Sequence, residues 1–210
     1  ASLDMTGIYR FGAAQVHLLD TRQFRDDQVC GNGFPGQIPC NSLADPKRSV
    51  LGAAQEQWLA QSLRSSQARY NVLASQMWLS PYRFNDAPAE PAVNMDAWDG
   101  YPAARQRMID LLGDGISNPV ALSGDWHCAA AMTLYASPFD AKSKPVAHEF
   151  AGTSISSDCG WMHEMDKMRS ANPHVQHLNT RQRGYCRFEV SDKSWLTTYR
   201  VVNNSYDPNS

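Results

Sequence analysis

The chain has 210 residues, 42% of them hydrophobic, enough to bury a sizeable core. Nineteen basic residues stand against 21 acidic ones, a formal net charge of -2. That balance argues against a basic nucleic-acid-binding surface and a polybasic membrane anchor, and no apolar run is long enough to be a transmembrane segment. An anionic ligand would have to be held by a few placed cations or metals.

In chain order, residues 15–19 read as a short buried strand running into polar Asp20-Thr21-Arg22-Gln23. Residues 25–48 are rich in Asp, Gly, Pro and Asn and predict an irregular lid or insert. Within it, Cys30 and Cys40 flank a turn-rich loop, which predicts a disulfide; free surface thiols are the alternative. A bridge there places folding outside the cytosol. Cys128, Cys159 and Cys186 remain, without zinc-site spacing. Residues 52–66 form an amphipathic helix, with Leu51, Ala54, Trp58, Leu59 and Leu63 on the apolar side. A buried strand over 69–77, an irregular stretch over 80–99 and a helix over 101–112 follow. A strand at 119–123 then ends in Gly124-Asp125-Trp126-His127. Strands and helices in this order predict an α/β core with helices on the sheet faces. Beyond it, 146–150, 184–190 and 195–202 read as strands. The last two alternate and are joined by Ser191-Asp192-Lys193-Ser194, an antiparallel hairpin. A polar tail occupies 203–210, and 1–210 reads as a single domain.

Gly124-Asp125-Trp126-His127 sets a carboxylate and an imidazole two residues apart at a strand end, where open α/β sheets place ligands. A hard oxygen and a borderline nitrogen suit a transition metal beside a harder cation; a capped loop is the alternative. Arg22 beside Arg25 forms either a fork for phosphate oxygens or partners for Asp20 and Asp26. The loop 94–101 gathers amides, carboxylates and aromatics, yet it also reads as an ordinary helix start, with Asp99 as cap before Pro102. Gly152-Thr153-Ser154 lacks the frame of a nucleophile elbow. His148, His163, His174 and His177 are scattered.

Several stretches together resemble the PhoD family of metal-dependent alkaline phosphatases and phosphodiesterases. They are 19–28 (LDTRQFRDDQ), 51–59 (LGAAQEQWL), 94–105 (NMDAWDGYPAAR), Gly124 to His127, and 149–157 (EFAGTSISS). Asn172-Pro173-His174, Arg183-Gly184-Tyr185 and 199–202 (YRVV) complete the series, in the family's order. The resemblance implies an α/β fold that is part of a metallophosphoesterase-like β-sandwich flanked by helices, its mixed sheet followed by a C-terminal antiparallel hairpin. It implies a phosphate ester substrate and a metal cluster of iron and calcium, other divalent metals remaining open. Asp125 and His127 match the last metal motif, each as ligand to a different ion. Arg22, Asn94 and Trp98 would grip or shape the phosphate pocket as catalytic residues. The family's earlier metal motifs are absent, so the chain reads as a C-terminal portion whose partner is the missing N-terminal half, inactive alone. The expected location is periplasmic or extracellular. Two other classes stay open: a non-catalytic secreted domain on a degenerate scaffold, and an esterase using Ser154.

Overall fold

The computed structural model describes residues 3–31, 35–205 and 207. The tip of the cysteine-flanked loop and part of the polar tail lie outside the described residues. Those described form β1 (Gly7–Phe11), β2 (Ala14–Leu18), α1 (Gly52–Ser65), β3 (Tyr70–Ala74), α2 (Pro102–Gly113), β4 (Pro119–Ser123), β5 (Ala129–Tyr135), β6 (Pro145–Ala151), α3 (Met162–Lys167), β7 (Val175–Asn179), β8 (Arg183–Val190) and β9 (Trp195–Val202).

Seven strands make one mixed sheet in the order β1-β2-β3-β4-β6-β5-β7. β2, β3, β4 and β6 run parallel; β1, β5 and β7 are the antiparallel additions. The expected α/β core with a mixed sheet and a C-terminal hairpin is therefore present. Register explains how the layers stack. Val72 pairs with Val120 and Leu73 with Ala121, so each face carries aligned apolar rows. Leu73 and Ala121 pack with Leu59 and Leu63 of α1 and Met108, Ile109 and Leu112 of α2. Val72 and Val120 pack on the other side with Val190 and Trp195 of the β8–β9 hairpin. The hairpin is thus a second, two-stranded layer over the sheet.

The hairpin register pairs Cys186 with Tyr199, Phe188 with Thr197 and Val190 with Trp195, as the alternation predicts. Cys30 and Cys40 are disulfide-bonded, and Cys128, Cys159 and Cys186 are free thiols. Four elements escape the sequence pattern: β1, β5, α3 and β7. β1 is an edge strand with Ile8, Tyr9 and Phe11 exposed, so it lacks a buried face to read. β5 begins Ala-Ala-Ala-Met, apolar but without period, and is a strand because β6 and β7 flank it.

Two local readings are corrected. The buried face of α1 centres on Gln55, Leu59 and Leu63, with Ala54 exposed, because the Gln55 amide is spent on backbone partners inside. Asp99 does not cap α2, whose first residue is Pro102. It is buried instead, accepting from the Tyr82 N–H at 3.0 Å and pairing with Arg105. Burial pushes the Asp99 carboxyl up, and Arg105 opposes that shift. Arg105→Met is expected to cost about 3–5 kcal/mol in chemical denaturation, because it strands a buried carboxylate.

His174 is 2% exposed, donating from Nε2 to the Pro81 carbonyl at 2.7 Å while Nδ1 finds no partner among the described residues. Burial lowers its pKa to about 4. An unfolded chain binds that proton more readily, so this stability is present above the ordinary imidazole pKa of 6.5 and is lost as pH falls to about 4. The loss is expected to reach about 3 kcal/mol. Denaturation across that window should show it, and His174→Gln, which keeps a donor but does not titrate, should flatten the slope.

Candidate functional site

The site lies where β2, β3 and β4 end, at the carboxyl edge of the parallel strands. Two amide side chains shape the exit from β2. Gln55 Oε1 accepts from the Asp20 N–H at 2.8 Å and its Nε2 donates to the Asp20 carbonyl at 2.9 Å. Gln76 accepts from the Thr21 N–H at 2.9 Å and donates to the Leu19 carbonyl at 2.6 Å. The Asp20 carboxylate then accepts from the N–H groups of Arg22 and Gln23, at 2.9 and 3.0 Å. Burial raises the Asp20 pKa, but these bonds outweigh it and hold the group below the usual range.

So held, Arg22 reaches across the strand ends. It pairs with Asp96 at 2.9 Å and with Asp125 at 3.1 Å. Arg25 also pairs with Asp96, at 2.9 Å, and donates to its carbonyl at 2.8 Å. The arginines are therefore brought together, but their partners are Asp96 and Asp125, not Asp20 and Asp26. Asp96, with Gln28 Nε2 at 2.5 Å as a further donor, is the residue sequence reasoning missed. Its only signal was a place in the acidic, amide-rich loop. Asn94 accepts from the Asp96 N–H at 2.9 Å, a local turn bond that aims Asp96. Trp98, expected to shape the pocket, is 2% exposed within the helix-side core and packs beneath the loop.

The turn after β4 is organised by its tryptophan. Trp126 is 2% exposed and stacks on Trp78, centroids 4.4 Å apart and planes within 6°. Phe84 and Tyr82 complete the cluster. With Trp126 driven inward, Asp125 and His127 flank it, and both occupy left-handed backbone, φ 71° and 53°. That conformation disfavours non-glycine residues, and such strain collects at functional sites. His127 Nδ1 lies 2.8 Å from the Asp158 carbonyl. A carbonyl only accepts, so Nδ1 carries a proton, and in the neutral ring the lone pair is on Nε2. Metal-binding histidines have this arrangement. The Trp78 side of the stack is set by Glu149 of β6, fully buried, which accepts from Leu79 N–H at 2.9 Å, Ser80 N–H at 2.6 Å and Ser123 Oγ at 2.6 Å. Burial raises its pKa against those bonds.

A cation is suited by Asp125 oxygen and His127 Nε2, a hard and a borderline donor. Among the described residues, no group of three His, Cys, Asp or Glu side chains could hold a metal, so these donors alone do not complete a shell. Ser154 does not sit like a nucleophile: its hydroxyl donates to the Ser157 carbonyl and accepts from Arg183 at 2.9 Å. No imidazole bonds it among the described residues.

Residues 4–199 match the family model for PhoD-like phosphatase. The chain belongs to that family. It is 39% identical over 193 residues to alkaline phosphatase D of Bacillus subtilis (strain 168), covering 90% of this chain and 32% of that protein. A solved structure of PhoD aligns with 99% of this chain and 40% of its own, at 34% identity and a TM-score of 0.87. The chain thus spans about a third of the length of the curated relative it matches.

Replacing Trp126 by Ala is expected to cost about 3–5 kcal/mol in chemical denaturation, the range for emptying an aromatic site in a core. The same variant should show exchange-broadened NMR signals at residues 125–127 if the stack holds the turn.

Proposed function

We propose that this chain is the C-terminal portion of a catalytic domain that hydrolyses phosphate esters with bound metal, and that Asp125 and His127 are two of its ligands. The observation that carries the reading is the Gly-Asp-Trp-His turn. Its tryptophan is the buried anchor, its two donors flank that anchor, and His127 donates from Nδ1, which in the neutral ring leaves Nε2 as the coordinating atom. Membership of a phosphatase family supports the reaction class. Iron with calcium is the first pair to test, with other divalent metals as alternatives. The remaining ligands would come from the missing N-terminal half, consistent with the incomplete donor set.

When bound, the metals would supply Lewis-acid charge to the phosphoryl oxygens and acidify water. Asp125 and His127 would hold them, each on a different ion. Arg22 would bind the phosphoryl group and neutralise the charge that develops on it. Asp96 and Arg25 would keep Arg22 at the strand ends, and Asn94 would aim Asp96. The Arg22 and Asp125 side chains are 39% and 40% exposed, and pairs of that exposure contribute about 0.2–1 kcal/mol. A phosphate or a cation can therefore replace either partner. The disulfide fits a periplasmic or extracellular location. Among the described residues, no helix is long and apolar enough to cross a membrane.

The test uses the longer protein that contains these residues. Asp125→Ala and His127→Ala are expected to lower bound metal and abolish phosphoesterase turnover, read by elemental analysis and a chromogenic phosphate ester. Unchanged metal content and turnover would sink the assignment. Arg22→Ala should keep its metal and lose about 10²-fold in turnover, as when one charge-stabilising donor is removed.

A further inference from the structure

Arg183, from the Arg-Gly-Tyr stretch, is 3% exposed and carries no carboxylate partner within ion-pair distance among the described residues. Buried charges are ordinarily paired, so a guanidinium held otherwise calls for a reason. Its hydrogen bonds supply one. Nη1 donates to the His127 carbonyl at 2.8 Å, to Ser154 Oγ at 2.9 Å and to the Ser157 carbonyl at 2.6 Å. Nη2 donates to the Thr180 carbonyl at 2.7 Å.

We propose that Arg183 is a positioning residue for His127, fixing which imidazole nitrogen faces a metal; this rests on the reading of His127 as a ligand. The bond that sets the His127 tautomer runs from Nδ1–H to the carbonyl of Asp158. Arg183 grips both ends of that bond: the backbone of residue 127 itself, and the carbonyl of Ser157 next to Asp158. Thr153 Oγ1 adds a bond to the His127 carbonyl at 3.2 Å. Without the guanidinium, the loop and the turn lose their common tether, and the imidazole is free to move its proton to Nε2. A ring protonated there cannot coordinate through that atom. Nη1 has two hydrogens for its three acceptors, so one is shared, while Nη2 reaches Thr180; a lysine ammonium, a single centre, does not span both sets at once.

The neighbouring glycine explains how the hairpin delivers this group. A Cβ at Gly184 would lie 1.9 Å from the Arg200 carbonyl oxygen of β9, so glycine alone allows the strands to close there. The Gly184 N–H also donates to the Ser154 carbonyl at 3.2 Å. The hairpin layer is thereby pinned to the loop beside the metal turn.

The experiment is long-range proton–nitrogen NMR of histidine-labelled chain, at a pH well above the ordinary imidazole range. The unsubstituted protein should show His127 almost wholly as the Nδ1–H tautomer. Arg183→Lys, which keeps the charge, should show a mixture of tautomers while far-UV circular dichroism is retained. A folded Arg183→Lys with the tautomer unchanged overturns the proposal. If the variant fails to fold, the unsubstituted chain still decides: slowly exchanging Arg183 Nη protons with nuclear Overhauser contacts to residues 127 and 128 are required, and a freely exchanging guanidinium overturns it. In the longer protein, titration with Co²⁺ alone should show affinity reduced about 10–100-fold in Arg183→Lys, the usual loss for an outer-shell partner. His127→Ala separates the two claims. If it leaves Co²⁺ affinity unchanged, the ligand reading fails and the proposal with it. If it abolishes binding while Arg183→Lys alters neither tautomer nor affinity, Arg183 alone is refuted.

Discussion

The carboxylate of Glu149 has no solvent exposure, and the approach to the site depends on it. It sits on β6, beside the strand that carries the Gly-Asp-Trp-His turn, and accepts from Leu79 and Ser80 on one side and Ser123 on the other. Those bonds draw the segment after β3 over the end of β4. Trp78 precedes the two backbone donors, so the same bonds fix the ring on which Trp126 stacks. Leaving a buried carboxylate unpartnered costs far more than any one of its bonds contributes. The loop consequently has little freedom to settle elsewhere.

A common device runs through the region: polar side chains are spent on main-chain groups at strand ends, where the ladder stops and peptide groups would go unmet. Gln55 and Gln76 do this for the exit of β2, Asn94 for the loop of Asp96, and Asn172 for the loop after β3, whose Arg83 N–H it meets at 3.0 Å. The segments that carry Arg22, Asp96 and Asp125 are irregular in backbone and yet well determined. Loops of this kind, mounted on a rigid sheet, are where binding residues collect.

Much of this was readable from the chain, for identifiable reasons. The strand at Pro119–Ser123 follows from a short apolar run buried on both faces, and the hairpin register from period-two alternation. Helix α1 follows from its period, but its buried face was misjudged at Gln55, since hydropathy does not register an amide whose partners come from 35 residues away. The same limit hid Asp96 and Arg183: each matters through groups remote in sequence, and a lone charge in a loop looks like any solvated one. Which side Trp98 packs on was likewise not legible, because an aromatic in a ligand-like loop gives no sign of it; it is buried in the helix-side core. Resemblance to a family supplied the order of the motifs, which no single spacing could.

Arg22, Arg25, Asp96 and Asp125 make a cluster of two cations and two anions, electrically neutral as it stands. A cation taken up by Asp125 must compete with Arg22, and an anion taken up by Arg22 must compete with Asp125. Each binding event removes the competitor of the other. The two affinities are therefore linked with a positive sign, and thermodynamic reciprocity makes the coupling equal in both directions. A site that bound both ions in this way would discriminate against either alone and favour the two arriving as a pair.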